Sequence, residues 1–170
     1  MTTPDRSSWL CLGIATEVGE FLASYSERGL VELRFPSDRR SSSPGASTAI
    51  SSQIQHWHRA TCAAVKQILA GRPPTSLPPF DLSVGTKFQQ RVWHAMTKIQ
   101  FGKTRSYGEI ARAIGNPKAV RAVGGACGAN PIPVLVPCHR VLAANQKIGG
   151  FSSGLEWKRE LLMREGVNLL

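Results

Sequence analysis

Ser106-Tyr107-Gly108-Glu109-Ile110-Ala111-Arg112-Ala113-Ile114-Gly115-Asn116-Pro117 is the stretch on which the fold turns. Ser106 and Glu109 stand in the S-x-x-E spacing of a capping box, which opens a short helix carrying Ile110, Ala113 and Ile114 on its apolar side. Gly115 stops that helix, and Asn116-Pro117 predicts an immediate restart, with asparagine as N-cap and proline at the first helical position. Two short helices around a glycine turn make the helix-turn-helix pattern, although many such pairs touch no nucleic acid.

The second helix is built almost wholly of small residues. Ala119, Val120, Ala122, Val123, Gly124, Gly125, Ala126, Gly128 and Ala129 leave Arg121 as its one long polar side chain beyond Lys118. Glycines weaken a helix by about 1 kcal/mol each relative to alanine, so their density needs a reason. Either another helix packs closely here, or a smooth backbone approaches the floor of a groove while Arg121 projects into a duplex. Such a helix lacks the long donors and acceptors that read bases directly, and it suits contact that tolerates any sequence.

Downstream, Asn130-Pro131-Ile132-Pro133 and Val134-Leu135-Val136 lead into Pro137-Cys138-His139-Arg140. A thiol reacts as thiolate, and a neighbouring imidazolium or arginine is expected to lower its pKa. Adjacent residues do not face one another on a helix or strand, so Cys138 and His139 would communicate around a turn or through a water. The competing reading is an inert buried cysteine beside a surface histidine.

Upstream, Thr86-Lys87-Phe88-Gln89 is a further capping box, opening a helix striped by Phe88, Val92, Ala95, Met96 and Ile99 and closed by Gly102. Before it, Arg72-Pro73-Pro74 through Pro78-Pro79 is a stiff connector, which suggests domains over residues 1–80 and 81–170. In the first of these, Trp9–Ala15, Glu20–Ser26 and Leu30–Phe35 read as an antiparallel meander, and Pro36–Thr48 reads as a mobile serine-rich loop. Ile54, Trp57, Thr61, Val65, Ile68 and Leu69 then mark a helix ended by Gly71 and Pro73. His58 and Cys62 share a face of it, but two ligands do not make a metal site, and His56 points elsewhere.

The 170 residues are 42% hydrophobic and 19% charged, an ordinary globular mixture. No run reaches the roughly 20 apolar residues that span a bilayer, and Met1–Ser8 lacks an apolar signal core, so a cytoplasmic protein with no membrane partner is expected. Cys11, Cys62, Cys127 and Cys138 are scattered, without the spacing of a disulfide framework or zinc knuckle. Residues 1–85 hold eight Lys/Arg against seven Asp/Glu, whereas residues 86–170 hold thirteen against four. The excess of +9 in the second half suits a polyanion partner.

Arg121-Ala122-Val123-Gly124-Gly125-Ala126, followed by Asn130-Pro131 and Pro137-Cys138-His139-Arg140-Val141, resembles the O6-alkylguanine-DNA alkyltransferases. The likeness runs from about Phe88 to Gly166. It implies an α+β chain, with a ribonuclease-H-like meander plus helix followed by a winged helix-turn-helix domain that binds and reacts. It also implies direct-reversal repair, in which Cys138 irreversibly accepts an alkyl group from O6 of guanine in duplex DNA, once per molecule and without a cofactor.

By the same resemblance, His139 takes the thiol proton through a water, Glu165 orients His139, and Tyr107 donates to the departing guanine. Ser152 contacts the base oxygen, Asn130 orders the turn before the active-site strand, and Pro133, Val141 and Phe151 wall the pocket. Arg121 is the finger that fills the place of a flipped nucleotide, with Ala119, Ala122, Gly124 and Arg140 also facing DNA. Phe151 stands where some relatives carry tyrosine, which removes one hydroxyl near the base. No zinc is expected, since Cys11 is alone in the meander and Tyr25 and Ser26 fall where a second cysteine would stand.

The implied partner is duplex DNA bearing O6-alkylguanine, with O4-alkylthymine a second candidate lesion. The protein would act as a monomer in the cytoplasm, or in the nucleus of a eukaryote. Other readings are a recognition module, which Cys138 opposes because such relatives carry tryptophan there; a thiol hydrolase using Cys138, His139 and Glu165; and an alkylation-sensing regulator, which would need base-reading side chains.

Overall fold

The computed structural model describes residues 9–36 and 50–168. The chain begins with β1 (Leu10–Thr16), β2 (Gly19–Ser26) and β3 (Gly29–Arg34), an antiparallel sheet in that order. Alternation sends Phe21, Ala23 and Tyr25 of β2 inward, and a register shift at Ser24/Tyr25 lets β3 bury Leu30, Val31 and Leu33. α1 (Ser52–Leu69) is capped by Ser51, whose side chain accepts from the Ile54 amide. It buries Thr61, Ala64, Val65, Ile68 and Leu69. Gly71 ends it at φ +70, while the Arg72 amide reaches back to Gln67 O. Most of the expected serine-rich loop, residues 37–49, lies outside the described residues.

The proline-rich connector does more than span. Leu30 N–H donates to Pro79 O, and Asp81 N–H donates to Leu30 O, each at 2.8 Å, so the connector lies along β3. Further along the same strand Leu33 N–H donates to Pro131 O at 2.9 Å. The first half thus grips the turn that leads to Cys138. Phe21, Phe35, Phe151 and Trp157 pack their rings across the same boundary, with Phe35 4.7 Å from Trp157 and 6.0 Å from Phe151.

α2 (Lys87–Met96) opens with the full capping box of Thr86 and Gln89. Trp93 lies on its buried side, with Nε1 donating to Ala126 O at 2.8 Å. Next come β4 (Arg105–Ser106) and α3 (Tyr107–Ala113), capped reciprocally by Ser106 and Glu109, then α4 (Val120–Gly128). β5 (Val141–Leu142) pairs in parallel with β4, and α5 (Leu155–Arg164) closes the chain.

Two expectations need correction. Asn116 does not cap α4: its amide donates to Ala111 O to finish α3, and its carbonyl accepts from Ala119 N–H, so residues 116–119 form a turn and the helix starts at Val120. No strand leads directly into Cys138 either. Residues 131–136 are turns, with Val134 in the left-handed region at φ +73, and Cys138–Arg140 is a single 3-10 turn. None of the described helices is long and apolar enough to cross a membrane.

Candidate functional site

Pro137 sets the nucleophile's backbone. Its φ of −81° and ψ of 68°, with Cys138 N–H donating to Val136 O at 2.8 Å, form an inverse γ-turn that delivers Cys138 into the 3-10 turn. A buried β-branched residue with positive φ is strained backbone, and Val134 holds that strain four residues before the cysteine. Asn130 organises the turn from inside. Its Nδ2 donates to Val136 O at 2.7 Å and to Cys138 Sγ at 3.1 Å, while its Oδ1 accepts from Ile132 N–H at 3.0 Å.

Cys138 is only 4% exposed. Burial pushes its thiol up to about 11, against the smaller opposing effects of the Asn130 hydrogen bond and the Lys158 charge. The thiolate expected from neighbouring cations is therefore not the resting form. The thiol stays protonated at neutral pH and needs a base at the moment of reaction.

His139 can be that base. Nε2 lies 2.8 Å from Glu165 Oε1, and Nδ1 is buried with no hydrogen-bond partner among the described residues. An ionised carboxylate can only accept, so the proton sits on Nε2 and Nδ1 presents a lone pair. Burial lowers the imidazole's pKa, against the raising effect of Glu165, so the ring is neutral at pH 7. Burial would push the Glu165 carboxyl up, but its hydrogen bonds from His139 and Arg140 outweigh that and hold it near 2.

Glu165 sits at the C-terminal end of α5, where the helix dipole disfavours a carboxylate. Arg140 supplies the compensation. Its Nε stands 2.9 Å from Oε2 and its second terminal nitrogen 2.9 Å from Oε1, a bidentate pair, and the Gly102 amide adds a bond to Oε2 at 3.1 Å. The remaining Arg140 nitrogen donates to Ile99 O at 2.7 Å, and the guanidinium lies over the Phe101 ring. Arg140 is buried and fully engaged, so the expected contact with DNA is not open to it.

Tyr107, first residue of α3, is half-buried within electrostatic reach of Cys138 and Cys127, and burial raises its phenol pKa, so it stays a donor. Pro133 and Val141 are buried, Ser152 is exposed, and Phe151 is half-buried against Phe35. On α4, Val123, Ala126 and Cys127 face inward, while Arg121, Ala122, Gly125 and Gly128 are exposed and Ala119 and Gly124 partly so. Among the described residues a Cβ added at Gly124, Gly125 or Gly128 would meet nothing within 4 Å, so no described helix demands these glycines. Arg121, Gly125 and Gly128 follow at i, i+4 and i+7, a bare stripe headed by one arginine.

Lys158 was not foreseen in this site. It is wholly buried, and Nζ donates to Val141 O at 2.7 Å and to Gly150 O at 3.2 Å. The signal was its spacing with Leu161, Leu162 and Glu165, which puts a lysine on the inward stripe of α5. Among the described residues no group of three or more His, Cys, Asp or Glu side chains could hold a metal. His58 shares its ring nitrogens with the Tyr25 hydroxyl at 3.1 Å and Cys62 Sγ at 3.5 Å.

Residues 87–167 match the model of the 6-O-methylguanine DNA methyltransferase DNA-binding domain. The chain is 40% identical to a Methanosarcina acetivorans methylated-DNA--protein-cysteine methyltransferase over 152 residues, covering 88% of this chain and 93% of that one. Among solved structures, Mycobacterium tuberculosis O6-methylguanine methyltransferase superposes with a TM-score of 0.73 at 36% identity, and M. tuberculosis OGT in complex with DNA with 0.71 at 38%. Each comparison covers 92% of both chains.

Proposed function

The chain belongs to the family of methylated-DNA--protein-cysteine methyltransferases, and from that premise we propose that Cys138 is its acceptor thiol. The protein repairs DNA by direct reversal, moving the methyl group of O6-methylguanine onto one of its own cysteines. Its transfer is stoichiometric, because the thioether formed has no leaving group through which to regenerate the thiol. The observation that carries the assignment is the chain of contacts Asn130–Cys138 and His139–Glu165–Arg140, converging on one buried turn.

In the reaction, the Cys138 proton passes through a water to His139 Nδ1, and the sulfur attacks the methyl carbon from the side opposite O6. The S–C bond forms as the C–O bond breaks, and the electron pair stays on guanine. Tyr107 donates a hydrogen bond or proton to that developing anion; His139 releases the thiol proton to solvent, and solvent returns one proton to guanine, directly or by reprotonating Tyr107, so the protons balance. Glu165 holds the imidazole in the required tautomer and stabilises its charged form, as the third group of a triad does. Asn130 keeps Sγ aimed and helps carry its negative charge.

A guanine O6 stacked inside a duplex cannot reach a thiol that is 4% exposed, so the nucleotide must leave the stack. The bare stripe of α4 supports the helix as the element that lies against DNA, with Ala119, Ala122 and Gly124 along the contact and Arg121 entering the vacated space. Ser152, Phe151, Pro133 and Val141 are the side chains proposed to receive the base. Within the division at residue 80, the first half braces and the second binds and reacts. We place the protein as a monomer in the compartment that holds the DNA.

The test is to count O6-methylguanine lost from a duplex against protein added. Loss that stops at one lesion per protein, and vanishes in Cys138→Ser with DNA affinity kept, is the expected outcome. Repeated turnover would instead favour hydrolysis, and tight lesion binding without loss a recognition module.

A further inference from the structure

Lys158 has no step in the chemistry above, yet its charge lies wholly inside the protein. Buried ammonium groups are costly and are ordinarily paired with a carboxylate. Among the described residues none pairs with this one: Glu165 is committed to His139 and Arg140, and Nζ has only the Val141 and Gly150 carbonyls. The groups whose charge it feels are two thiols, Cys138 and Cys127. Burial brings the ammonium down to about 8, with those thiols opposing the fall, so it remains mostly protonated at neutral pH.

Its two hydrogen bonds reach both sides of the reaction. Val141 directly follows the Cys138–Arg140 turn, and Gly150 lies in the loop that leads to Ser152. That loop lies against Tyr107, where a Cβ at Gly149 would stand 3.0 Å from the hydroxyl. One ammonium therefore fastens the nucleophile's turn to the loop that seats the proton donor.

We infer that Lys158 is a positioning residue for the methyl transfer, a fixed cation set against the Cys138 thiolate that also ties the Gly150 loop to β5. The inference rests on Cys138 being the acceptor. A buried cation without a counter-charge acquires one only when the thiol ionises, so its field favours the reactive state over the resting one. Cys127 does not compete for that role, since its thiol contacts Met96 Sδ at 3.5 Å and burial pushes it up to about 12. The other charged or titratable groups around the pair are His139 beside Cys138, the Glu165–Arg140 ion pair behind it, and Tyr107 on α3.

The experiment follows Cys138 alkylation by the free base O6-benzylguanine, read by mass spectrometry from pH 6 to 9 in wild type, Lys158→Met and Lys158→Arg. Lys158→Met is expected to react about tenfold more slowly at pH 7, the loss in thiolate that one pKa unit represents. Its rate should keep rising to higher pH than wild type, and Lys158→Arg should recover part of the loss. Wild-type rates and an unshifted profile in folded Lys158→Met overturn the inference. Should that variant not fold, NMR titration of the Lys158 side chain in wild type and Cys138→Ala decides. Removal of the thiol lowers the lysine's midpoint if the two face each other, and an unmoved midpoint sinks the idea. If wild-type protein takes no methyl from an O6-methylguanine duplex, the functional reading itself has failed; if it does and only the Lys158 comparison is flat, the inference alone has.

Discussion

Cys138 and His139 are neighbours in the chain, but the structure joins them through other residues. The cysteine is aimed by Asn130 and the histidine by Glu165. Asn130→Ala removes three hydrogen bonds at once and leaves the buried Ile132 amide unsatisfied, so a stability loss of about 1–3 kcal/mol is expected in denaturant melts. Methyl transfer by the fraction still folded should slow as well, because Sγ loses its positioning donor. Glu165→Gln strands the buried Arg140 guanidinium, which predicts a loss of about 3–5 kcal/mol.

The pH dependence of stability follows from the same two groups. Glu165 ionises near 2 in the fold against about 4.3 in an unfolded chain, so its contribution is complete above pH 4.3 and lost as pH falls toward 2. His139 is lowered in the fold, so below about pH 6.5 the unfolded chain binds a proton that the folded one refuses, and stability falls there too. Thermal melts from pH 7.5 downward should show both losses; a flat profile from 7.5 to 5 would contradict the buried neutral imidazole. At this scale the sequence pointed to Cys138, His139, Asn130 and Glu165, whose side chains the structure gathers at one turn, but not to a buried thiol or to an Arg140 paired with Glu165. Pattern cannot show that a tight turn buries the cysteine, or that the arginine turns inward to a carboxylate 25 residues later.

α4 is the helix proposed to lie against DNA. Among the described residues nothing stands within 4 Å of a Cβ at its glycines, so Gly125→Leu and Gly128→Leu should leave the fold intact and stabilise the helix by up to about 1 kcal/mol each. Bulk on the same stripe should nonetheless weaken repair of duplex DNA by tenfold or more while sparing reaction with the free base. Arg121→Ala should show the same split, since only the duplex requires a nucleotide to be extruded. Equal losses on both substrates would remove α4 from the DNA interface. The helix was legible in its composition, but its start was not: the same Asn116-Pro117 that resembles a cap is used in closing α3 and turning the chain, and the backbone hydrogen bonds that settle this leave no mark in sequence. The capping boxes at Thr86 and Ser106 were legible because both partners lie within four residues.

Across the whole molecule, the basic second half predicts binding to duplex DNA that weakens steeply with salt whatever its sequence, as neutralised phosphates release their counterions. A strong preference for one sequence would contradict it. The meander and α1 appeared where alternation and helical periodicity put them. What periodicity could not reveal is that β3 hydrogen-bonds Pro131, so the first half supports the turn that Asn130 organises around Cys138. Contacts between segments 98 residues apart have no local signature. What decides the function is the destination of the methyl group. Protein mixed with an increasing amount of O6-methylguanine duplex, digested and mapped by mass spectrometry, should carry a single added methyl on Cys138 that saturates at one per molecule. A methyl on another residue, or unmodified Cys138 after the lesion has gone, would contradict the account.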